Sequence, residues 1–346
     1  MSTSVLVIGG GISGIKATLD LGKLGVETIL IEQKDKLGGT FENLGSTFPY
    51  GVNAQASLKN WFQILNSLRN VKIYMNTLVK SVVRVNDGYK IIVDTDKASF
   101  IVGAIIVATG FTPFDAMKIS NYHYGKYKNV INSLELVQML RNGQNLVNPS
   151  DKTPLKNVSF ITCVGSRDKK TNDYCSSFCC AYTVHLAKII KELDRNIDVT
   201  IMYMDMRTFS NYEALYQEAR SLGVKFLRGK PSIVFKDKNR KQISIQVENT
   251  ITREFLQHKT DLVVLSIGAE PAVGNDELGR IMKLLKNERT GFFAVSNNDD
   301  VSAVEQERIF IIGNASGPKD SQYSLAQASA AALKAIISIK GLDFEK

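Results

Sequence analysis

The sequence predicts an α/β fold of two dinucleotide-binding units, the second inserted in the first. A glycine turn between an apolar strand and a helical pattern opens the chain. The same strand, turn, helix and strand order recurs after residue 150, and the last segment reads as a return to the first unit.

In the first unit Val5 to Ile8 is a continuous apolar run, followed by Gly9-Gly-Gly11-Ile12-Ser13-Gly14 and a helical pattern through Ile15, Ala17, Leu19 and Leu21. A second apolar strand, Thr28 to Ile31, ends on Glu32. Each glycine has a physical role. Gly9 permits the tight turn, Gly11 lets backbone approach a pyrophosphate, and Gly14 lets the helix pack closely on the strand. Ile12 and Ser13 stand at the helix N-terminus, whose free amides and positive potential favour phosphate. Glu32 is placed to accept from the adenosine ribose. Gly38-Gly39-Thr40 offers a second close backbone approach of the kind FAD sites use. Ala104 to Pro113 contains a buried strand closing on Thr109-Gly110, the strand expected to run beneath the cofactor.

The second unit repeats the order with different chemistry. Val158 to Thr162 reads as a strand, Cys175 to Arg195 as carrying a helix, Val199 to Met204 as a strand ending in Asp205, and Asp261 to Pro271 as an echo of the earlier return strand. Where the phosphate turn belongs stands Cys163-Val-Gly165-Ser-Arg-Asp, with one glycine. Asp205 and Arg207 keep a ribose and a phosphate contact possible, but tight NAD(H) binding is not expected without the cradle. The last segment, Arg308 to Asp320, gives a strand, a turn through Gly313 and Asn314, and a helix start at Lys319 and Asp320, followed by an Ala-rich helix from Tyr323 to about Ile337. That helix would aim its N-terminus at a flavin and stabilise an anionic reduced ring. The expected units are therefore 1–150, 151–272 and 273–346, the first and last forming one FAD-binding domain.

All four cysteines lie in one stretch, as C-x11-C-x3-C-C over Cys163, Cys175, Cys179 and Cys180. A secreted disulfide framework would spread its pairs. Zinc ribbons and knuckles need tight CxxC turns, which leaves a structural zinc site a poor fit. Uneven spacing suits a cubane iron–sulfur cluster, with Arg167, Lys169 and Lys170 offsetting its charge. A redox dithiol is the alternative, in a self-contained pyridine-nucleotide-disulfide oxidoreductase. Cys175 and Cys179, four apart, are expected to share one helix face.

The chain has 346 residues with 43 basic and 34 acidic side chains, a formal charge of +9, and the basic residues are dispersed. Nucleic-acid binding, which needs a clustered footprint, is not expected. Neither a signal peptide nor a membrane-length apolar run is visible, and clustered thiols suit a reducing compartment, so a cytoplasmic location is expected.

Cys163-Val-Gly-Ser-Arg-Asp, Tyr174-Cys-Ser-x-x-Cys-Cys180, Tyr124 to Ile131, Asp205-Met-Arg207, Leu227-Arg-Gly229, Gly317-Pro-Lys-Asp320 and Ala326-Gln-Ala-Ser-Ala330 together resemble the A subunit of heterodisulfide reductases. The resemblance covers nearly the whole chain. It implies a thioredoxin-reductase-like flavoprotein scaffold with FAD and a 4Fe-4S cluster on Cys163, Cys175, Cys179 and Cys180. Long members carry further cluster domains, a cysteine after the Thr47-Phe-Pro49 motif where Tyr50 stands here, and a cysteine at the position of Asn314. This chain resembles the short form found in heterodisulfide-reductase-like complexes of sulfur-oxidising prokaryotes. That form implies B-type and C-type partner subunits, a lipoate-bearing carrier as sulfur donor, and a homodimer.

Overall fold

A computed structural model describes residues 3–48, 51–86, 88–94, 99–141, 146–236, 242–295 and 306–341; Pro49 and Tyr50 of the sequence motif lie outside them. The chain divides into two compact units, one of residues 1–42, 54–112 and 270–346, the other of residues 43–53 and 113–269.

The first unit is built on a five-stranded parallel sheet with Val5–Ile8 at its centre. Thr28–Ile31 and then Val71–Tyr74 lie on one side, Ala104–Val107 and Ile309–Ile311 on the other. The central strands are apolar at every position because both faces of the sheet are covered, one by helices and the other chiefly by Val79, Tyr89, Ile91, Val93 and Val102, which leaves neither alternate row to water. Ile12–Lys23 covers one face together with the long C-terminal helix Ser321–Lys340. The small Ala328, Ala331, Ala332 and Ala335 of that helix are buried against Val5, Val7, Ala17 and Leu21, so the two helices approach closely. Val79–Val85, Gly88–Val93 and Ser99–Val102 form an antiparallel three-stranded sheet.

The second unit has the same plan. Asn157–Val164 is central in a five-stranded parallel sheet, flanked by Asp198–Tyr203 and Lys225–Arg228 on one side and by Leu262–Ile267 and Val130–Asn132 on the other. Ile233–Lys236, Ile243–Asn249 and Glu254–Thr260 make its antiparallel sheet. Helix Cys179–Leu193 buries Ala181, Val184, Ala187 and Ile190 in a core shared with Phe160, Val199 and Ile201.

The crossings between units fall at 112/113 and 269/270, in place of the 150/151 and 272/273 that the sequence pattern suggests. The larger shift has a plain cause. Val130–Asn132 pairs with Leu262–Ile267, so residues 113–150 close the second sheet. Residues 43–53, expected in the first unit, belong to the second, where Phe48 packs at 5.9 Å and 5.3 Å ring separation against Tyr182 and Tyr212. Among the described residues no helix is long and apolar enough to cross a membrane.

Candidate cofactor sites

In the first unit the glycine turn divides into glycines the fold requires and one it does not. Gly9 has φ +105°, and a Cβ there would sit 2.5 Å from the Ala108 carbonyl oxygen. At Gly14 a Cβ would lie 1.8 Å from the Gly9 carbonyl oxygen, so helix and turn could not meet. Gly11 is different. Its φ of −74° and ψ of −176° are extended backbone that any residue adopts, and a Cβ there would meet nothing within 4 Å. The protein itself does not need a glycine at Gly11, and the open space above it is what a phosphate-bearing ligand would fill.

Glu32 is buried and braces this turn, its two carboxylate oxygens accepting from the amides of Gly10 at 2.6 Å and Lys34 at 2.9 Å. The Gly38 amide donates to the Gly10 carbonyl at 2.8 Å, and Gly11 and Gly38 form a parallel bridge. Gly38, Gly39 and Thr40 therefore lie against the glycine turn, with Gly39 in the left-handed region at φ +56°. Ser13 is buried at the helix start beside Gly313, whose added Cβ would sit 2.2 Å from the Ser13 Oγ. Thr109 Oγ1 donates to Asn275 Oδ1 at 2.8 Å, and Gly110 follows at φ +74° with nothing near its open side. Ile12, Ser13, Gly14 and the return turn thus gather at the carboxyl ends of the strands, where ligands bind open α/β sheets.

Four residues of the last turn are cofactor contacts on the sequence pattern, and the structure engages their side chains or amides locally. The Gly313 amide donates to Gln327 Oε1 at 2.9 Å. Asn314 Oδ1 accepts from the Lys319 amide while its Nδ2 donates to the Lys319 carbonyl, at 2.9 and 3.1 Å. Lys319 Nζ donates to the carbonyls of Gly313 and Gly317 at 2.6 and 2.7 Å, and burial lowers its pKa to about 8. Asp320 caps the C-terminal helix, its Oδ1 accepting from the Tyr323 amide at 2.8 Å; the helix starts at Ser321 and runs to Lys340, longer at both ends than the periodicity suggests.

The second unit brings its four thiols to one cavity. Cys163, Cys175, Cys179 and Cys180 line it together with Ser166, Arg167, Ser176, Ser177 and Arg207. Cys163 is the last residue but one of the central strand, lies within a register shift against Leu262–Ile267 and holds φ +58°, a left-handed conformation rare outside glycine. One expectation is corrected here. Cys175 and Cys179 do not share a helix face, because the helix begins only at Cys179. Ser177 has φ +60°, and the Ser176 hydroxyl is tied to Ser166 Oγ at 2.7 Å and accepts from the Ala269 amide at 3.0 Å. Those restraints hold Cys175 in the loop before the helix, where it lines the cavity.

Cys163, Cys179 and Cys180 are buried and Cys175 is partly exposed; all four are free. Burial raises the pKa of Cys163, with the Arg167 guanidinium opposing it, and raises Cys180 to about 11. The pKa of Cys179 is also raised, by burial first and then by the other three thiols. Three deprotonated thiols here need a compensating cation, which is what a metal cluster provides. Among the described residues no three His, Cys, Asp or Glu side chains converge as ligands of a single ion do. In a cubane each thiolate binds a different iron, so its ligands need not converge. The histidines are satisfied elsewhere: His185 faces Ser46 Oγ at 2.7 Å, His123 the Val234 carbonyl at 2.8 Å, and His258 Ser159 Oγ at 3.0 Å.

Asp205, the one acid offered for a nicotinamide ribose, is engaged. Its Oδ2 accepts from Arg167 Nη2 at 2.6 Å and Arg228 lies 3.7 Å from its Oδ1, so Asp205 titrates below the usual carboxylate range.

Comparison with known proteins agrees with this anatomy. Residues 3–149 match the family model described as pyridine nucleotide-disulphide oxidoreductase. Among solved structures, thioredoxin reductase of Lactococcus lactis superposes with a TM-score of 0.66 at 20% identity, covering 99% of this chain and 100% of that one. The fold is that of two-dinucleotide-binding-domain flavoproteins. Its curated relatives include an iron-sulfur A subunit of the CoB–CoM heterodisulfide reductase of Methanopyrus kandleri, 30% identical over 96% of this chain and 64% of the relative. The corresponding A subunit of Methanocaldococcus jannaschii is 31% identical over 95% of this chain and 63% of the relative. The chain is similar to these heterodisulfide reductase A subunits and spans under two thirds of the length of the two relatives.

Proposed function

We propose that this protein is an FAD- and 4Fe-4S-containing electron-transfer subunit of a heterodisulfide-reductase-like complex. The observation that carries the proposal is four free thiols lining one cavity at the position of a lost phosphate turn. FAD would supply exchange between two-electron and one-electron carriers, and the cluster a one-electron relay. Gly9, Gly11, Ile12, Ser13, Gly14, Glu32, Gly38, Gly39, Thr40, Thr109 and Gly110 would hold the FAD. Gly313, Asn314, Lys319 and Asp320 would shape its flavin end by fixing the last turn and the helix start. Cys163, Cys175, Cys179 and Cys180 would ligate the cluster.

With every cysteine assigned to the cluster, no thiol is left for covalent sulfur chemistry. Electrons then pass between sulfur- or thiol-oxidising partners and an acceptor such as NAD+. B-type and C-type subunits are the partners this reading requires, with a lipoate-bearing carrier as sulfur donor, a homodimer as the assembly and the cytoplasm as its location. The engagement of Asp205 and the missing glycine cradle argue that NAD(H) does not bind tightly in the second unit. A dithiol enzyme is disfavoured because its nucleophile needs a lowered pKa, whereas burial raises three of these thiols.

The deciding experiment is purification without oxygen, followed by assay of iron, sulfide and flavin with visible spectra. About four irons per chain, released FAD and a broad absorption shoulder beside the flavin bands are expected. Flavin alone, with disulfide turnover by the iron-free chain, would establish the dithiol enzyme instead.

A further inference from the structure

Arg167 has features that the ligand set does not explain. It holds φ +57°, a left-handed conformation that an arginine adopts at a cost, and its amide donates to the Tyr174 carbonyl at 2.9 Å across the loop that bears Cys175. The side chain turns inward and lines the cavity of the four thiols. Nη2 is fixed by Asp205 at 2.6 Å, and Arg228 approaches the same carboxylate from the other side. Nη1 is fully buried and has no hydrogen-bond partner. A guanidinium donor left unpaired in a buried site is costly, more so than a neutral one because it carries charge. Such a donor, with its neighbour nitrogen anchored, is oriented toward a missing acceptor. The cavity beside it is lined by thiols and contains no carboxylate.

We propose that Arg167 is a positioning residue for the cluster: Nη1 donates a charge-assisted hydrogen bond to sulfur at the Cys163 corner, and Asp205 holds the guanidinium in register for it. This rests on the cluster reading above and deepens it. A cubane with four thiolates is an anion that gains a further negative charge on reduction, so a fixed positive donor at one sulfur favours the reduced form and raises the potential. Lys169 and Lys170, without such an anchor, would contribute through screened charge alone.

The left-handed backbone makes a clean test possible. Arg167→Gly removes the guanidinium while keeping a residue that adopts this conformation freely, so the turn survives. Arg167→Lys keeps the charge and loses the planar fork. Wild-type and both variants are purified without oxygen, their iron and FAD content is measured, and the cluster is titrated reductively under EPR observation. Arg167→Gly is expected to keep FAD and iron and to become at least tenfold harder to reduce, a shift of about 59 mV for one electron. Arg167→Lys should fall between it and wild type. Iron lost from Arg167→Gly but kept by Arg167→Lys would support the same role through occupancy. A fully loaded Arg167→Gly cluster at the wild-type potential would overturn the proposal, as would loss of iron from both variants. Wild-type protein that takes up no iron would remove the cluster reading itself, a failure distinct from either.

Discussion

The two units share a plan and differ at one turn. In the first, the central strand Val5–Ile8 passes to its helix at Ile12 through glycines, and the space above Gly11 is open. In the second, strand Asn157–Val164 reaches its helix only at Cys179, and the intervening loop is laced to the sheet by the Ser166–Ser176 pair and the Ala269 amide. A glycine turn presents bare amides to an oxyanion. The longer loop brings Cys175 to the cavity that Cys163 of the strand and Cys179 and Cys180 of the helix start also line. The acids after the second strands have diverged as well: Glu32 accepts from backbone amides of the turn, while Asp205 is held by arginines. On the proposed function, one scaffold position would serve anionic groups in both units, with phosphate held by backbone in one and a thiolate cluster by side chains in the other.

Removing one ligand should break this comparison most visibly. Cys179→Ala is expected to lower iron from about four per chain to near zero while FAD stays bound, because the two sites belong to different units. Iron and flavin assays on one preparation check both halves. Equal loss of FAD would show that the units are not independent in cofactor binding.

The glycines sharpen the comparison within the first unit. Gly14→Val should yield little folded protein, since its Cβ would sit 1.8 Å from a backbone oxygen that cannot move aside. Gly11→Val meets no protein atom and should fold, yet purify without FAD. Far-UV CD and released-flavin fluorescence separate the two outcomes, and a Gly11→Val protein retaining full FAD would contradict the cradle.

The first unit is largely legible in the sequence because its chemistry is carried by backbone: Gly9, Gly11, Gly14 and Glu32 announce themselves by spacing. The cysteine site is legible in membership but not in geometry. No periodicity marks where a helix starts among Ser176, Ser177 and Phe178, and the left-handed Ser177 together with hydrogen bonds to residues about ninety positions away decides it. The boundary near residue 150 fails for a similar reason, since the three-residue strand Val130–Asn132 is defined by its partner Leu262–Ile267 and not by its own pattern. Asn314, Lys319 and Asp320 stand out by family position, and their mutual hydrogen bonding has no sequence signal.

A pH effect should also distinguish the units. His185, on the cysteine helix, is buried against Ser46 and Phe48, and burial lowers its pKa from 6.5 to about 4. Its folded-state pKa lies below its unfolded value, so the unfolded chain binds the extra proton between these limits. Stability is therefore full above pH 6.5 and falls as pH drops toward 4, by about 3 kcal/mol for this group. Denaturant unfolding of the cofactor-free protein, followed by the loss of near-UV signal, should show that slope, and His185→Gln should flatten it. A slope of equal size in the variant would assign the acid sensitivity to other groups.

The smallest expected effect is at the lacing of the long loop. Ser176 Oγ accepts from the Ala269 amide at 3.0 Å and pairs with Ser166 at 2.7 Å, both within buried surroundings. Ser176→Ala leaves that amide and the Ser166 hydroxyl unsatisfied, a loss of about 1–3 kcal/mol. Gly268 shows how closely the pair is fitted, since a Cβ there would lie 2.4 and 2.5 Å from the two hydroxyl oxygens. The glycine turn of the first unit has its own brace, the Glu32 carboxylate on the Gly10 amide, so the expected signature is local. Hydrogen exchange at the Ala269 amide should quicken by roughly tenfold or more, while amides of the Gly9 to Gly14 turn keep their wild-type rates. Unchanged protection at Ala269 would mean that the long loop is held without the Ser176 hydroxyl.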